Sequence, residues 1–368
     1  MKKIAAALSL LIPFAYAHAD SSVTIYGLID AAVSIGSGGN GAPNQKRLDS
    51  GVGPGTRLGF KGKEDLGDGL AAIFDLQMGM AINTGALQQG GLAFGRQAFI
   101  GLQSLPLGLS LTAGRQYSPT EIALTAADPM SQFYWGNNSG IGIGSIQSPN
   151  STAGTGCHGY TARINNSIQG SWAGSGFVGR LMVGTGAQDP QGSGRLINPS
   201  IAYSNGPVAL TAAYTRFRQC APDIPAGASP AWQSDWTAGG SYDFGVAKLY
   251  AGYYNFNPAE ANKTITGTTN LDYNSYWIGT RIPVGQGTII ALVTREQQRR
   301  TAIDAEATVY GLAYEHNLSK RTRVYVSGGK VANNDVASFG LVGATATQAA
   351  TGPGAKPRVL SLGMTHSF

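Results

Sequence analysis

The sequence predicts an all-β fold, a closed transmembrane antiparallel β-barrel, from three observations. Apolar and polar residues alternate in segments of about ten, glycine makes up 53 of 368 residues, and no window after residue 19 is apolar enough for a spanning helix. Glycine at about twice its ordinary share is poorly tolerated by helices. A chain that crosses a bilayer without helices must close its sheet, because lipid offers no partner to the free N–H and C=O groups of an edge. No linker, charge run or abrupt change of composition divides the chain, so one large sheet is expected rather than several domains.

The chain opens with Met1-Lys2-Lys3, runs through a mostly apolar stretch from Ile4 to Tyr16 and reaches Ala17-His18-Ala19. This basic, apolar, small-x-small order is that of a cleaved export signal. Interrupted by Ser9 and Pro13, the stretch falls short of the ~20 apolar residues a membrane helix needs. Residues 1–19 are expected to be a signal peptide and residues 20–368 the barrel. Removing them takes away two lysines and leaves 24 basic against 20 acidic side chains, a formal charge of +4. These charges are scattered, without the basic clusters and interleaved aromatics of a nucleic-acid surface, so no nucleic-acid partner is expected. Cys157 and Cys220 are too few for a disulfide scaffold and lack metal-ligand spacing. In an oxidising periplasm they can either pair or stay free.

Strands are expected near 22–35, 56–63, 69–80, 94–103, 108–116, 160–170, 176–185, 196–204, 207–217, 235–243, 246–257, 271–282, 287–298, 305–316, 322–331 and 357–368. The alternation is plain in several of them. Leu70, Ala72, Phe74, Leu76 and Met78 oppose Ile73, Asp75, Gln77 and Gly79; Leu210, Ala212 and Tyr214 oppose Thr211, Ala213 and Thr215; Val324 and Val326 oppose Arg323, Tyr325 and Ser327. Tight turns such as Asn205-Gly206-Pro207 and Gly285-Gln286-Gly287 alternate with long connections at 36–55, 117–159, 218–234 and 332–356. Short turns belong on the periplasmic side and long loops outside. An even strand count leaves both termini on one side, where the first and last strands pair and remove the edge. Tyr253, Tyr254, Tyr276, Trp277 and Tyr314 stand towards strand ends, where amphipathic rings suit the membrane–water boundary.

Motifs for chemistry are weak. Gly36-x-Gly38-x-x-Gly41 is followed by Ala42-Pro43-Asn44 rather than by a helix whose N-terminus would hold a pyrophosphate. Of the histidines beyond residue 19, His158 falls in a long loop, His316 ends a strand and His366 belongs to the outer face of the last one. No catalytic residue, cofactor site or metal site is expected.

At this point the chain resembles the Gram-negative general porins. The matching stretches are Ser22-Val23-Thr24-Ile25-Tyr26-Gly27-Leu28-Ile29-Asp30, Arg57-Leu58-Gly59-Phe60-Lys61-Gly62-Lys63-Glu64-Asp65-Leu66-Gly67, Arg96-Gln97-Ala98-Phe99-Ile100-Gly101-Leu102, Gly114-Arg115-Gln116-Tyr117 and the terminal Phe368. The resemblance implies a 16-stranded homotrimeric barrel of the bacterial outer membrane whose third external loop folds into the lumen and narrows it. It implies outer-membrane lipid, lipopolysaccharide and the barrel-assembly machinery as partners, and Phe368 as closing strand residue and assembly signal.

The residues support such a loop at 117–159. Ser118-Pro119-Thr120-Glu121, followed by Ile122-Ala123-Leu124, has an N-cap Ser, Pro at the first helical position and Glu three residues after the cap, so a short helix is expected there. Asp128-Pro129 resembles the acidic part of the family's constriction loop. The resemblance places a basic ladder opposite, at Arg57, Arg96 and Arg163. Alternation puts Arg57 and Lys61 in the lumen, opposite Leu58 and Phe60, and Arg163 in the lumen, opposite Ile164 and Ile168. Arg96 shares its parity with Ala98, Ile100 and Leu102, and reaches the lumen only through a bulge or from beyond the lipid band. Arg115 shares its parity with Leu111 and Ala113 and has the same difficulty.

With only Glu121 and Asp128 as loop acids, the pore field is expected to tilt positive. The expected function is passive diffusion of small hydrophilic solutes through a water-filled channel with a modest preference for anions. A substrate-selective channel is the second reading, and a plugged structural or adhesive barrel the third.

Overall fold

The computed structural model describes residues 22–138, 162–186, 195–218, 229, 231–258, 272–299 and 304–368. Cys157, Cys220 and His158 lie outside the described residues. Sixteen membrane-length strands run from Ser22–Ser37 to Arg358–Ser367, and each pairs antiparallel with its neighbours. The last pairs with the first, from Leu28 opposite Ser367 to Ser37 opposite Arg358, so the wall closes. Each expected strand has its counterpart, mostly within three residues at either end.

Side-chain period decides the two faces. In the first strand Ile25 is 62% exposed and Val33 61%, whereas Asp30 and Ser34, at positions of the other parity, are fully buried. The final strand repeats this, with Leu360, Leu362 and Met364 exposed and Ser361 and Thr365 buried. An apolar outer belt around a polar interior is the pattern that a lipid-embedded barrel requires.

Two long connections differ from expectation. Residues 36–55 do not form an open external loop. The first strand continues to Ser37, the chain reverses at residues 38–44, and the short strand Gln45–Ser50 returns along Ala31–Gly36. Gly39, Asn40 and Gly41 all take positive φ there, so the glycine-rich motif serves a hairpin. Arg57–Gly67 then resumes the pairing against Ser22–Leu28, and between the two pieces residues 51–56 leave the wall and are buried. The Gly53 N–H donates to Asp30 Oδ1 at 3.1 Å and to the Tyr325 hydroxyl at 3.0 Å. Thr365 Oγ1 donates to Asp30 Oδ2 at 2.6 Å. A Cβ at position 53 would lie 2.5 Å from Asp30 Oδ2, which explains the glycine.

The final connection, 334–357, is also folded inward. Leu341–Val342 pairs with Thr347–Gln348, and Phe339, Leu341 and Ala346 are buried. Its Thr345 N–H donates to the Gly51 carbonyl at 2.9 Å, so this hairpin is tied to the inward segment 51–56.

Candidate pore constriction

Ser118 accepts a hydrogen bond from the Glu121 N–H at 3.1 Å and caps the helix Pro119–Ala126, with Pro at its first turn. The capping pattern thus gives a helix where one is expected. The helix packs on the polar-parity side of the wall. Thr120 N donates to Asn198 Oδ1 at 3.3 Å, and Thr120 Oγ1 lies 2.8 Å from Thr215 Oγ1.

Beyond the helix, the chain follows the inner wall. Trp277 Nε1 donates to the Ala127 carbonyl at 2.9 Å, and Arg281 Nη1 to the Pro129 carbonyl at 2.7 Å. Tyr134 donates to Glu315 Oε2 at 2.8 Å, and Trp135 Nε1 to Ser361 Oγ at 2.7 Å. Segment 118–138 therefore spans the interior from the strand Leu196–Asn205 to the strand Arg358–Ser367, polar anchors replacing a loose loop. Tyr254 and Trp277 are buried on this inner side, so these two rings do not belong to the boundary belt.

Between this segment, the opposite wall and the final hairpin lies a cavity of about 620 Å³. Arg57, Arg96, Arg163 and Tyr117 line one side, Glu121 and Gln132 the other, and Val342, Gly343, Ala344 and Thr347 its external edge. Arg96 Nη2 and Arg163 Nη2 both donate to the Tyr117 hydroxyl oxygen, at 2.7 and 2.9 Å. Arg96 Nε donates to Gln77 Oε1 at 2.7 Å. Two guanidiniums are held side by side by one neutral acceptor, so their charges stay directed at the cavity. With its amide nitrogen turned to the carboxylate, Gln132 donates to both Glu121 oxygens, at 2.9 and 2.8 Å. Burial pushes the Glu121 carboxyl up to about 7 against the opposing pull of Arg163.

This arrangement is a gap of water-accessible size with fixed cations on one wall, crossed by an inward-folded segment. The Gram-negative porin family model matches residues 5–336. The chain belongs to the Gram-negative porin family. This porin is 30% identical to outer membrane porin protein 32 of Delftia acidovorans, over the full length of both. It is 29% identical to an outer membrane porin of Bordetella pertussis, over 90% of this chain and 95% of that one. Among solved structures it resembles an anion-selective porin from Comamonas acidovorans, with a TM-score of 0.76, 26% identity and coverage of 95% of this chain and 100% of that one. OmpT of Vibrio cholerae shares the fold, with a TM-score of 0.69 at 17% identity over 95% of this chain and 99% of that one.

Of the residues singled out in the porin's sequence, Arg57, Arg96, Arg163 and Glu121 come together at the cavity, and three do not. Asp128 faces its own backbone: Oδ1 accepts from Met130 N at 2.8 Å and Oδ2 from Gln132 N at 2.9 Å and Asn138 N at 3.3 Å. It staples a turn in which Ser131, Gln132 and Tyr134 all have positive φ. Lys61 lies four residues from Arg57 towards the periplasmic turn, about 13 Å along the strand, with Nζ 5.1 Å from the Tyr26 ring. Arg115 donates from Nε to the Gly95 carbonyl at 2.8 Å and from Nη1 to Asn165. It ties the 80–96 connection to the strand Arg163–Gly174.

Arg163 lines the cavity from the first residue of its strand, but the alternation that suggested it fails there. Ile164 does not face lipid; it is buried with Leu196 and Phe217 inside the barrel. The register slips between Gly114 and Gln116, and Asn166 has φ 50°, so the strand gains a residue before Ile168 returns to the outer face. Arg96 lies one residue before its strand begins, its N–H bonded to the Gln77 carbonyl at 3.0 Å. Tyr117 and the hairpin at 341–348 carried no signal of a role, since neither charge nor period marks them.

Proposed function

We propose that this porin, which forms a water-filled outer-membrane channel for passive diffusion of small hydrophilic solutes, has its eyelet at the cavity bounded by Arg57, Arg96, Arg163 and Glu121, prefers anions modestly, and works as a homotrimer of chains cleaved after residue 19. The pairing of Arg96 with Arg163 on one phenol oxygen carries this reading. Three fixed cations face one carboxylate whose charge burial suppresses, and a narrow channel with low-dielectric walls focuses their field. The named anion selectivity of the Comamonas protein supports the same sign.

A substrate-selective channel would need a track of binding residues along the pore. Tyr26 and Tyr325 face inward, but Tyr26 donates to Asp75 at 2.6 Å and Tyr325 to Asp30 at 2.9 Å, so both hydroxyls serve the wall. Single-channel conductance separates the readings. Conductance that rises in proportion to salt concentration is expected, and saturation at millimolar solute would favour the selective channel.

A further inference from the structure

Pairing along one edge of the first strand is interrupted in a single place. Leu28 pairs with Arg57 and Ala31 with Ser50, so the ladder skips Ile29 and Asp30, and segment 51–56 leaves the wall across this gap. Asp30 grips the segment at its start, middle and end. Its carbonyl accepts from the Gly51 N–H at 3.4 Å and from Thr56 Oγ1 at 3.2 Å, and its N–H donates to Thr56 Oγ1 at 3.0 Å. Its carboxylate accepts from the Gly53 N–H and is held on the wall side by Tyr325 and Thr365. Asp30 is fully buried, so no water can stand in for the carboxylate if it is removed, and its donors would be left unpaired.

The other side of the segment carries the parts that shape the cavity. The Val52 carbonyl accepts from the Tyr134 N–H of the inward segment 118–138 at 2.6 Å. The Gly51 carbonyl accepts from the Thr345 and Ala346 N–H groups at 2.9 and 3.3 Å, and Thr345 Oγ1 donates to the Ser50 carbonyl at 2.8 Å, which seats the final hairpin. Gly55 lines the cavity, and a Cβ there would come within 3.0 Å of Arg96 Nη1. Arg57 follows Thr56 directly. Two arginines and both inward-folded connections thus take their places from one short segment, itself held by one residue.

We propose that, with the arginine cavity as the eyelet, Asp30 is a positioning residue for ion selection: acting through segment 51–56, it fixes where Arg57 and Arg96 stand and where both inward connections rest. A fixed charge selects ions only while the shell behind it keeps it in place. The competing view confines Asp30 to closing the barrel. Ser34, on the same strand, supplies the control for that view, since its hydroxyl lies 2.6 Å from the Ser361 hydroxyl across the seam.

Single-channel conductance and the zero-current potential in a KCl gradient, recorded on the full chain in planar bilayers, separate the two. Gly53→Ala leaves Asp30 and its wall-side bonds in place, but its methyl falls 2.5 Å from Asp30 Oδ2 and drives the segment into the lumen. Conductance and chloride preference are both expected to fall. Asp30→Ala frees the segment, so larger, flickering currents with a reduced chloride preference are expected. Asp30→Asn is expected to keep wild-type values, because the amide oxygen accepts from Gly53 and Tyr325 while the NH₂ group donates to Thr365. Ser34→Ala should lower the urea midpoint in detergent and leave the potential unchanged. A wild-type potential in Gly53→Ala would overturn the assignment even if Asp30→Ala fails to assemble, as would an equal shift in Ser34→Ala. An unshifted potential in Arg57→Ala with Arg163→Ala would remove the eyelet reading and this assignment with it, whereas a shift there and none in Gly53→Ala removes this assignment alone.

Discussion

Arg163 lies over the ring of Tyr117, with Cζ 4.6 Å from the ring centroid, and donates to its hydroxyl at 2.9 Å. Because Arg96 donates to the same oxygen, this one phenol organises two of the three arginines that line the cavity. Tyr117→Phe keeps the ring and removes the acceptor. A hydrogen bond to a charged group contributes about 1.5–3 kcal/mol, and the buried Arg96 loses one here. The variant is expected to insert into membranes and to unfold in detergent at a lower urea midpoint, while Tyr117→Ala loses further stability with the cation–π contact. An unchanged midpoint in Tyr117→Phe would show that the two arginines are held by other means.

Glu121 sets a pH dependence whose sign can be worked out. Its carboxyl is raised from 4.5 to about 7 by burial, so it is charged above neutrality and protonated below. As the pH falls through about 7, the eyelet loses its acid while the arginines stay charged, and anion preference should increase. The folded state binds this proton more tightly than the unfolded chain, so stability from this group falls as pH rises between 4.5 and about 7. Glu121→Gln should show the acid-limit selectivity at every pH. Reversal potentials recorded between pH 5 and pH 9 check both statements.

The barrel was legible in the sequence because period two survives wherever one face meets lipid. Leu360, Leu362 and Met364 against Ser361 and Thr365 read the same way in the chain and in the wall. The eyelet was legible only in part. A bulge moves a side chain to the other face without leaving a mark in composition, which is why Ile164 was read outward. A carboxylate such as Asp128 reads alike whether it faces a pore or three N–H groups of its own turn. Trp277 was misread because the boundary and the loop-bearing interior both favour a ring with one polar atom.

Asp128 is therefore expected to act on the eyelet through loop shape. Asp128→Ala leaves three N–H groups without their acceptor beside a run of positive φ, where each non-glycine residue costs about 1–3 kcal/mol. The turn should relax, giving larger and noisier single-channel currents with selectivity of unchanged sign. Quiet currents of wild-type amplitude would show that the anchors at Tyr134 and Trp135 suffice without it.

Phe368 closes the seam between the first and last strands. Its N–H donates to the Gly27 carbonyl at 3.1 Å, its carbonyl accepts from the Gly27 N–H at 3.2 Å, and a Cβ at position 27 would lie 2.7 Å from its ring. Deleting Phe368, or replacing Gly27 by Val, should sharply lower the yield of folded, heat-resistant protein recovered from outer membranes. Undiminished recovery of both variants would exclude a role for this contact in assembly.

The zero-current potential across a bilayer separating unequal KCl solutions tests the location and sign of the eyelet together. Chloride should outrun potassium in the wild type, the preference should shrink as salt rises, because the Debye length falls from about 10 Å at 0.1 M to about 3 Å at 1 M, and Arg57→Ala with Arg163→Ala should abolish or reverse it. A cation-selective wild type, or a double variant with an unshifted potential, would contradict the assignment.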